Sequence, residues 1–178
     1  MRVVAGEARG RRLVAPPGTA TRPTSDRVRE AIFNALTSLD VLDGALVLDA
    51  FAGSGALGIE ALSRGARHCV FVERDRSAAA VVRQNLEATG LADRAEVIVG
   101  DGDVAVGARA WDLVLLDPPY AFEAWMPLLD RVGDAHVVIE SDREPELPAA
   151  WRIIRVKRYS GTVVMFARRA DDPKVNQR

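Results

Sequence analysis

From Ala45 onward, short and almost uninterrupted aliphatic runs alternate with segments of helical periodicity, and few folds accommodate that order. The strand candidates are residues 45–50, 68–73, 95–100, 112–116 and 135–140, and the helices between them are 56–63, 77–89 and 122–131, with a short turn around Val104. A strand that is apolar at consecutive positions buries both of its faces, which requires a parallel sheet covered by helices on each side. Residues 151–158 and 162–168 then follow with only Tyr159, Ser160 and Gly161 between them, too few for a crossover. They form an antiparallel hairpin at the sheet edge. The expectation is an α/β, Rossmann-like, mostly parallel seven-stranded sheet.

Upstream, the Pro/Gly/Thr stretch from Pro16 to Thr24 is the one break in the chain. Before it, the short runs 2–5 and 11–15 flank a loop through Gly6 and Gly10, a pattern that predicts a small N-terminal β-hairpin. After it, Thr24 or Ser25 can cap a helix that carries Asp26 in its first turn and Val28, Ile32, Ala35, Leu36 and Leu39 at helical spacing. The division expected is a hairpin extension over 1–20, a main domain over 21–170 and a polar tail over 171–178.

With 178 residues, 48% of them hydrophobic, the chain suits one globular domain. Its one cysteine, Cys69, lies within an apolar run, which leaves no disulfide framework and no metal-ligand cluster. No apolar stretch approaches the roughly 20 residues of a membrane span, and the opening lacks a secretory signal. A cytoplasmic protein without membrane or metal partners is expected.

Charge is unevenly spread. Residues 1–29 hold seven arginines against Glu7 and Asp26, and residues 151–178 hold eight Lys/Arg against Asp171 and Asp172, whereas 30–150 holds nine arginines against 21 acids. If the two ends meet, they make a positive footprint for phosphates beside an acidic centre.

The segment Leu46-Val47-Leu48-Asp49-Ala50-Phe51-Ala52-Gly53-Ser54-Gly55-Ala56-Leu57-Gly58 reads as a strand, a glycine turn and a helix start. Glycines let a backbone pass close under a ligand, and the helix N-terminus offers unpaired N–H groups. Gly53, Gly55 and Gly58 satisfy a dinucleotide-binding pattern, with Glu73 a further 20 residues on, so a nicotinamide dehydrogenase fits this stretch by itself. Asp49 argues otherwise, being poorly placed against a pyrophosphate and well placed toward a cationic group.

The strongest signal is Leu113-Val114-Leu115-Leu116-Asp117-Pro118-Pro119-Tyr120, an aliphatic strand stopped by two prolines between an acid and an aromatic. An exocyclic amine on a nucleic-acid base is a weak nucleophile because its lone pair is delocalised into the ring. The Asp117 carboxylate and the Pro118 carbonyl can each accept one of its N–H groups and aim the lone pair. Asp117 can also take the proton. Pro119 stiffens the turn, and Tyr120 offers a stacking face for a base held out of its helix.

Five parallel strands closed by an antiparallel hairpin resemble the class I S-adenosylmethionine-dependent methyltransferases, and Asp49-Ala50-Phe51-Ala52-Gly53-Ser54-Gly55 resembles the cofactor motif of the amino-methylating members. That resemblance implies S-adenosylmethionine held by Asp49 at the amino-acid end, Phe51, Gly53, Ser54 and Gly55 along the loop, Glu73 on the ribose hydroxyls with Arg74 beside it, and Asp101 with Gly102 at the adenine. Asp-Pro-Pro-aromatic resembles the motif of adenine-N6, guanine-N2 and glutamine-N5 methyltransferases alike.

The ends narrow the choice. Arg2-Val3-Val4-Ala5-Gly6 and Gly10-Arg11-Arg12-Leu13, then Arg22-Pro23-Thr24-Ser25-Asp26-Arg27 through Asn34, resemble the RsmD family of bacterial 16S ribosomal RNA guanine-N2 methyltransferases, and the likeness runs on to Lys157-Arg158-Tyr159. It implies 16S rRNA, within a partly or fully assembled small subunit, as the substrate. Arg9, Arg11, Arg12, Arg22, Thr24 and Arg27 would approach the RNA. Glu7 departs from the basic residue expected in the hairpin loop, and Tyr120 stands where phenylalanine is frequent. The alternative is an adenine-N6 methyltransferase acting on DNA or RNA, which shares every catalytic residue.

Overall fold

The computed structural model describes residues 1–17 and 25–170. The strands β1 (Leu46–Asp49), β2 (His68–Glu73), β3 (Ala95–Val99), β4 (Leu113–Leu116) and β5 (His136–Ser141) run parallel, and β6 (Trp151–Tyr159) and β7 (Thr162–Arg169) form the closing hairpin. Among the described residues they make one seven-stranded sheet in the order β3-β2-β1-β4-β5-β7-β6, with β7 antiparallel between β5 and β6. The expected α/β class and edge hairpin are both present. Five helices accompany the sheet among the described residues: α1 (Asp26–Ser38), α2 (Ala56–Ser63), α3 (Arg76–Thr89), the single turn α4 (Gly102–Ala105) and α5 (Trp125–Arg131). None is long and apolar enough to cross a membrane.

Strand alternation divides the core in two. Val47, Leu113, Leu115, Val164 and Phe166 point toward α1, α2 and α3, whereas Leu48, Val114, Leu116, Met165 and Ala167 point toward α5 and the tryptophans Trp111, Trp125 and Trp151. Each fully buried aliphatic side chain contributes roughly 1.5–3 kcal/mol by leaving water. Caps set the helix starts: the Ser25 hydroxyl accepts from the Val28 N–H at 3.2 Å, and the Asp75 carboxylate accepts from Ser77 and Ala78 N–H groups at 2.8 and 2.9 Å. Helix α5 begins at Trp125, three residues later than its periodicity suggests, because the Phe122 N–H donates to the Pro119 carbonyl at 2.8 Å and is spent closing the turn after β4.

The N-terminal segment pairs with itself at one isolated antiparallel bridge, Arg2 with Arg12, supported by Val3 N–H to the Arg11 carbonyl at 3.0 Å and Gly10 N–H to the Val3 carbonyl at 2.8 Å. So few pairings leave backbone donors over, and α2 takes them. The Glu60 carboxylate accepts from Val4 and Ala5 N–H at 2.8 and 3.0 Å, and the Ser63 hydroxyl accepts from Ala8 N–H at 3.0 Å. A Cβ on Gly6 would sit 1.8 Å from the Ser63 carbonyl oxygen, so that approach requires glycine. Val3, Ala8 and Leu13 are buried in the same core as α1 and α2. Glu7, out of pattern in the sequence, pairs with Arg94. Arg22, Thr24 and the tail over 171–178 lie outside the described residues.

Candidate active site

In an open parallel sheet, ligands bind beyond the carboxyl ends of the strands, where the strand order reverses. Here the reversal falls between β1 and β4, and a cleft of about 940 Å³ opens there, lined by residues following β1, β2, β3 and β4. Its wall includes Phe51, Gly53, Ser54, Glu73, Arg74, Asp101 and Gly102 together with Asp117, Pro118, Pro119 and Tyr120. The two motifs, 64 residues apart from Gly53 to Asp117 in sequence, face one space.

Gly53 and Gly55 adopt φ of 54° and 79°, left-handed values that let the chain reverse from β1 into α2. Gly55 is the N-cap of α2 rather than part of the cleft wall. Gly58 has a third role: a Cβ there would lie 2.3 Å from the Phe71 ring, so its absence lets α2 sit directly on β2.

Asp49, expected to face the cofactor's amino-acid end through direct or water-mediated contacts, has a side chain that is 1% exposed and lies behind the residues that line the cleft. Two residues after Val47 on the same strand, it points to the α2 face, where its carboxylate accepts from the Gly58 N–H at 2.9 Å. Burial pushes its pKa up to about 7 against the opposing pull of that N–H, and the charge of Glu73 adds to the rise. A carboxyl that holds its proton in the fold at pH values where the unfolded chain has lost it makes stability fall as pH rises from about 4 to about 7. Asp49→Asn should flatten that slope in pH-dependent thermal denaturation; a slope identical to wild type would show that Asp49 is ionised throughout.

Glu73 ends β2 with both oxygens engaged by backbone: Oε2 accepts from Gly53 N–H and Oε1 from Asp75 N–H, each at 2.8 Å. These bonds fix the carboxylate on the cleft wall, and each oxygen keeps a second lone pair for a ligand hydroxyl. Asp101 and Arg74 face each other at 4.0 Å with side chains 62% and 84% exposed, a loose pair at the rim. Gly102 passes so close to the end of β1 that a Cβ would lie 1.8 Å from the Ala50 carbonyl oxygen, and that approach carries Asp101 to the cleft.

At the end of β4, Asp117 is half-buried and Pro118 buried, while Pro119 and Tyr120 are exposed. Phe122 packs edge-on against Phe51 at 5.7 Å and Trp125 at 4.9 Å, joining the two motifs through an aromatic contact. All four residues from Asp117 to Tyr120 line the cleft, with the exposed Tyr120 ring at its edge.

Two groups escaped the sequence reading. Met1, Ala15 and Pro16 help to line the cleft, although nothing local marks them. Asn85, fully buried on α3, donates to the Ser54 and Val14 carbonyls at 2.8 and 2.9 Å and accepts from Val14 N–H at 2.9 Å, tying the glycine loop to the N-terminal segment. Of the arginines expected at RNA, Arg9, Arg11, Arg12 and Arg27 are exposed on the N-terminal segment and the start of α1, outside the cleft, with Arg11 also donating to the Ala88 carbonyl at 3.1 Å.

A dinucleotide-binding sheet of the dehydrogenase kind continues with a sixth parallel strand beyond β5. Here β7 enters antiparallel in that place, and with the acid-Pro-Pro-aromatic turn over the same cleft the molecule is a class I methyltransferase. Its relatives agree. Bacillus subtilis YlbH is 45% identical over 160 residues, covering 83% of this chain and 86% of its own. Ribosomal RNA small subunit methyltransferase D of Escherichia coli is 38% identical over 169 residues, covering 88% and 84%. The solved structure of yhhF from Escherichia coli superposes with a TM-score of 0.82 at 35% identity, over 95% of this chain and 97% of that one. The sequence model of the family described as Conserved hypothetical protein 95 matches residues 1–168, and the chain belongs to that family, the RsmD family.

Proposed function

We propose that this protein methylates the exocyclic N2 of a guanine in 16S ribosomal RNA, using S-adenosylmethionine, and does so on a partly or fully assembled small subunit in the cytoplasm. The observation that carries the reading is the meeting of Asp117–Tyr120 and Glu73 in one cleft, which supports an amine-orienting turn beside a ribose-holding carboxylate. The RNA substrate rests on the family relationship to the Escherichia coli enzyme.

The cleft suits the cofactor in size and chemistry. Its volume is that of ordinary cofactor sites, roughly 300–1,000 Å³. Glu73 would hold the ribose hydroxyls, Asp101 the adenine amino group, and Ala50, Ala52 and Val72 the apolar surfaces between. Asp49 acts from beneath by holding α2 to the end of β1 through Gly58. When bound, S-adenosylmethionine supplies an electrophilic methyl group on a sulfonium. The chain's own part is to orient the guanine amine. Asp117 and the Pro118 carbonyl each accept one N–H, Tyr120 stacks on the extruded base, and Asp117 receives the proton released as the nitrogen is alkylated.

Glu73→Ala should weaken S-adenosylmethionine binding about 10- to 100-fold in calorimetry, the scale of hydrogen bonds to a charged acceptor. A change below threefold would remove Glu73 from the cofactor site. The proposal itself is tested by transfer of a labelled methyl group to 16S RNA, naked and in partly assembled subunits, followed by nucleoside analysis. N2-methylguanosine is expected, and more of it from assembled particles. Methyladenosine would redirect the assignment to adenine-N6, and no transfer to any RNA form would overturn it.

A further inference from the structure

The closing hairpin carries no acid between Trp151 and Ala170 and six basic residues, Arg152, Arg155, Lys157, Arg158, Arg168 and Arg169. Some are occupied: Arg158 pairs with Glu144, and Arg169 donates to the Val132 carbonyl while lying over the Trp151 ring. Among the described residues, Arg155 and Lys157 take part in no ion pair and no side-chain hydrogen bond. They stand opposite Phe166 and Val164 in the β6–β7 register, so both lie on the same sheet face as those two core residues, and Tyr159 follows them on that face.

Topology brings this row to the cleft end of the molecule. Strand β6 is parallel to β5, both being antiparallel to β7, so its last residue, Tyr159, lies at the carboxyl end of the sheet, the end at which Asp117 leaves β4. Arg27, at the start of α1, is near enough to oppose the rise that burial imposes on the Tyr159 hydroxyl pKa. Beyond Arg27, Asp26 shares a surface hollow with Arg2 and Arg12 of the N-terminal segment. The described parts of the two basic ends are therefore neighbours in the fold.

We infer that β6, through the exposed Arg155 and the half-buried Lys157, extends the Arg12–Arg27 surface into one strip that binds the phosphate backbone of the RNA leading into the cleft. This rests on the reading of RNA as substrate. Charge complementarity selects the occupant: unpaired cations in a row suit a polyanion, and phosphate contacts position a nucleic acid without reading its sequence. Long edge strands also carry lysine and arginine simply to prevent pairing with another chain, and that role alone would leave RNA binding untouched.

The test measures binding of full-length protein to a 16S RNA transcript across salt, with Arg155→Ala/Lys157→Ala against wild type and against Arg67→Ala/Arg109→Ala, which removes the same charge far from the strip. Two lost phosphate contacts should reduce the salt slope by about 1.4–1.8, so that a fourfold rise in salt costs wild type about tenfold more affinity than the edge variant. Unchanged S-adenosylmethionine binding verifies the variant's fold. Equal slopes in all three proteins, or equal losses in both variants, overturn the strip. Methyl transfer measured in parallel separates the two claims: transfer with unaltered slopes overturns the strip alone, and no transfer to RNA by wild type overturns the reading beneath it.

Discussion

Asp117→Ala is expected to lower single-turnover methyl transfer to RNA by about 10²–10³-fold, the range lost when a positioned acid–base or charge-stabilising group is removed. The reason lies in the amine. Its lone pair is conjugated with the purine ring and becomes available only when both N–H groups are drawn into the right plane, and nitrogen then gains positive charge as the bond forms. In the proposed role Asp117 would serve both demands from the cleft wall, where it is half-buried. S-adenosylmethionine binding should stay within about twofold, because the residues proposed to hold that ligand, Glu73 and Asp101, follow other strands. Asp117→Asn, which keeps an acceptor but not the charge, should fall between. Transfer by Asp117→Ala within about fivefold of wild type would sink the assigned role.

Glu60→Ala should cost about 3–5 kcal/mol of stability, the penalty for stranding a buried charge. Glu60 and Arg29 are both fully buried, with Nε 3.5 Å from Oε2. The same carboxylate accepts from Arg64 Nε at 2.7 Å and from the Val4 and Ala5 N–H groups. Its removal leaves Arg29 with the Arg2 carbonyl and Asp26, whose side chain is 54% exposed, and leaves two backbone donors without their acceptor. For a chain of this length the midpoint of thermal unfolding should drop by about 10 °C. Because Met1, Ala15 and Pro16 line the cleft, loosening this segment should also weaken cofactor binding. Glu60→Gln retains one acceptor and should recover part of both losses. A midpoint within about 2 °C of wild type for Glu60→Ala would show that solvent reaches Arg29.

Much of this molecule was legible before any coordinates. The bounds of β2 and α2 coincide with the expected ones, because an aliphatic run between turns and a helix launched by glycines are decided within a few residues. The Asp-Pro-Pro-Tyr strand end was equally plain, since two prolines cannot extend a ladder. Less legible were polar residues at buried helix positions. Asn85 and Glu60 are fully buried and bond to segments 71 and 56 residues away, and no local pattern names those partners.

What the sequence by itself determined was the succession of elements, the parallel class of the sheet and the chemical groups delivered to the strand ends, all consequences of short-range backbone and periodicity constraints. Only the tertiary structure decided that Asp49 turns under α2 instead of into the cleft, that the N-terminal segment lies on Glu60 and Ser63, and that Arg27 comes beside Tyr159. Those outcomes depend on which distant buried donor finds which acceptor, and on which face of the sheet a residue's parity assigns it to once the register is set.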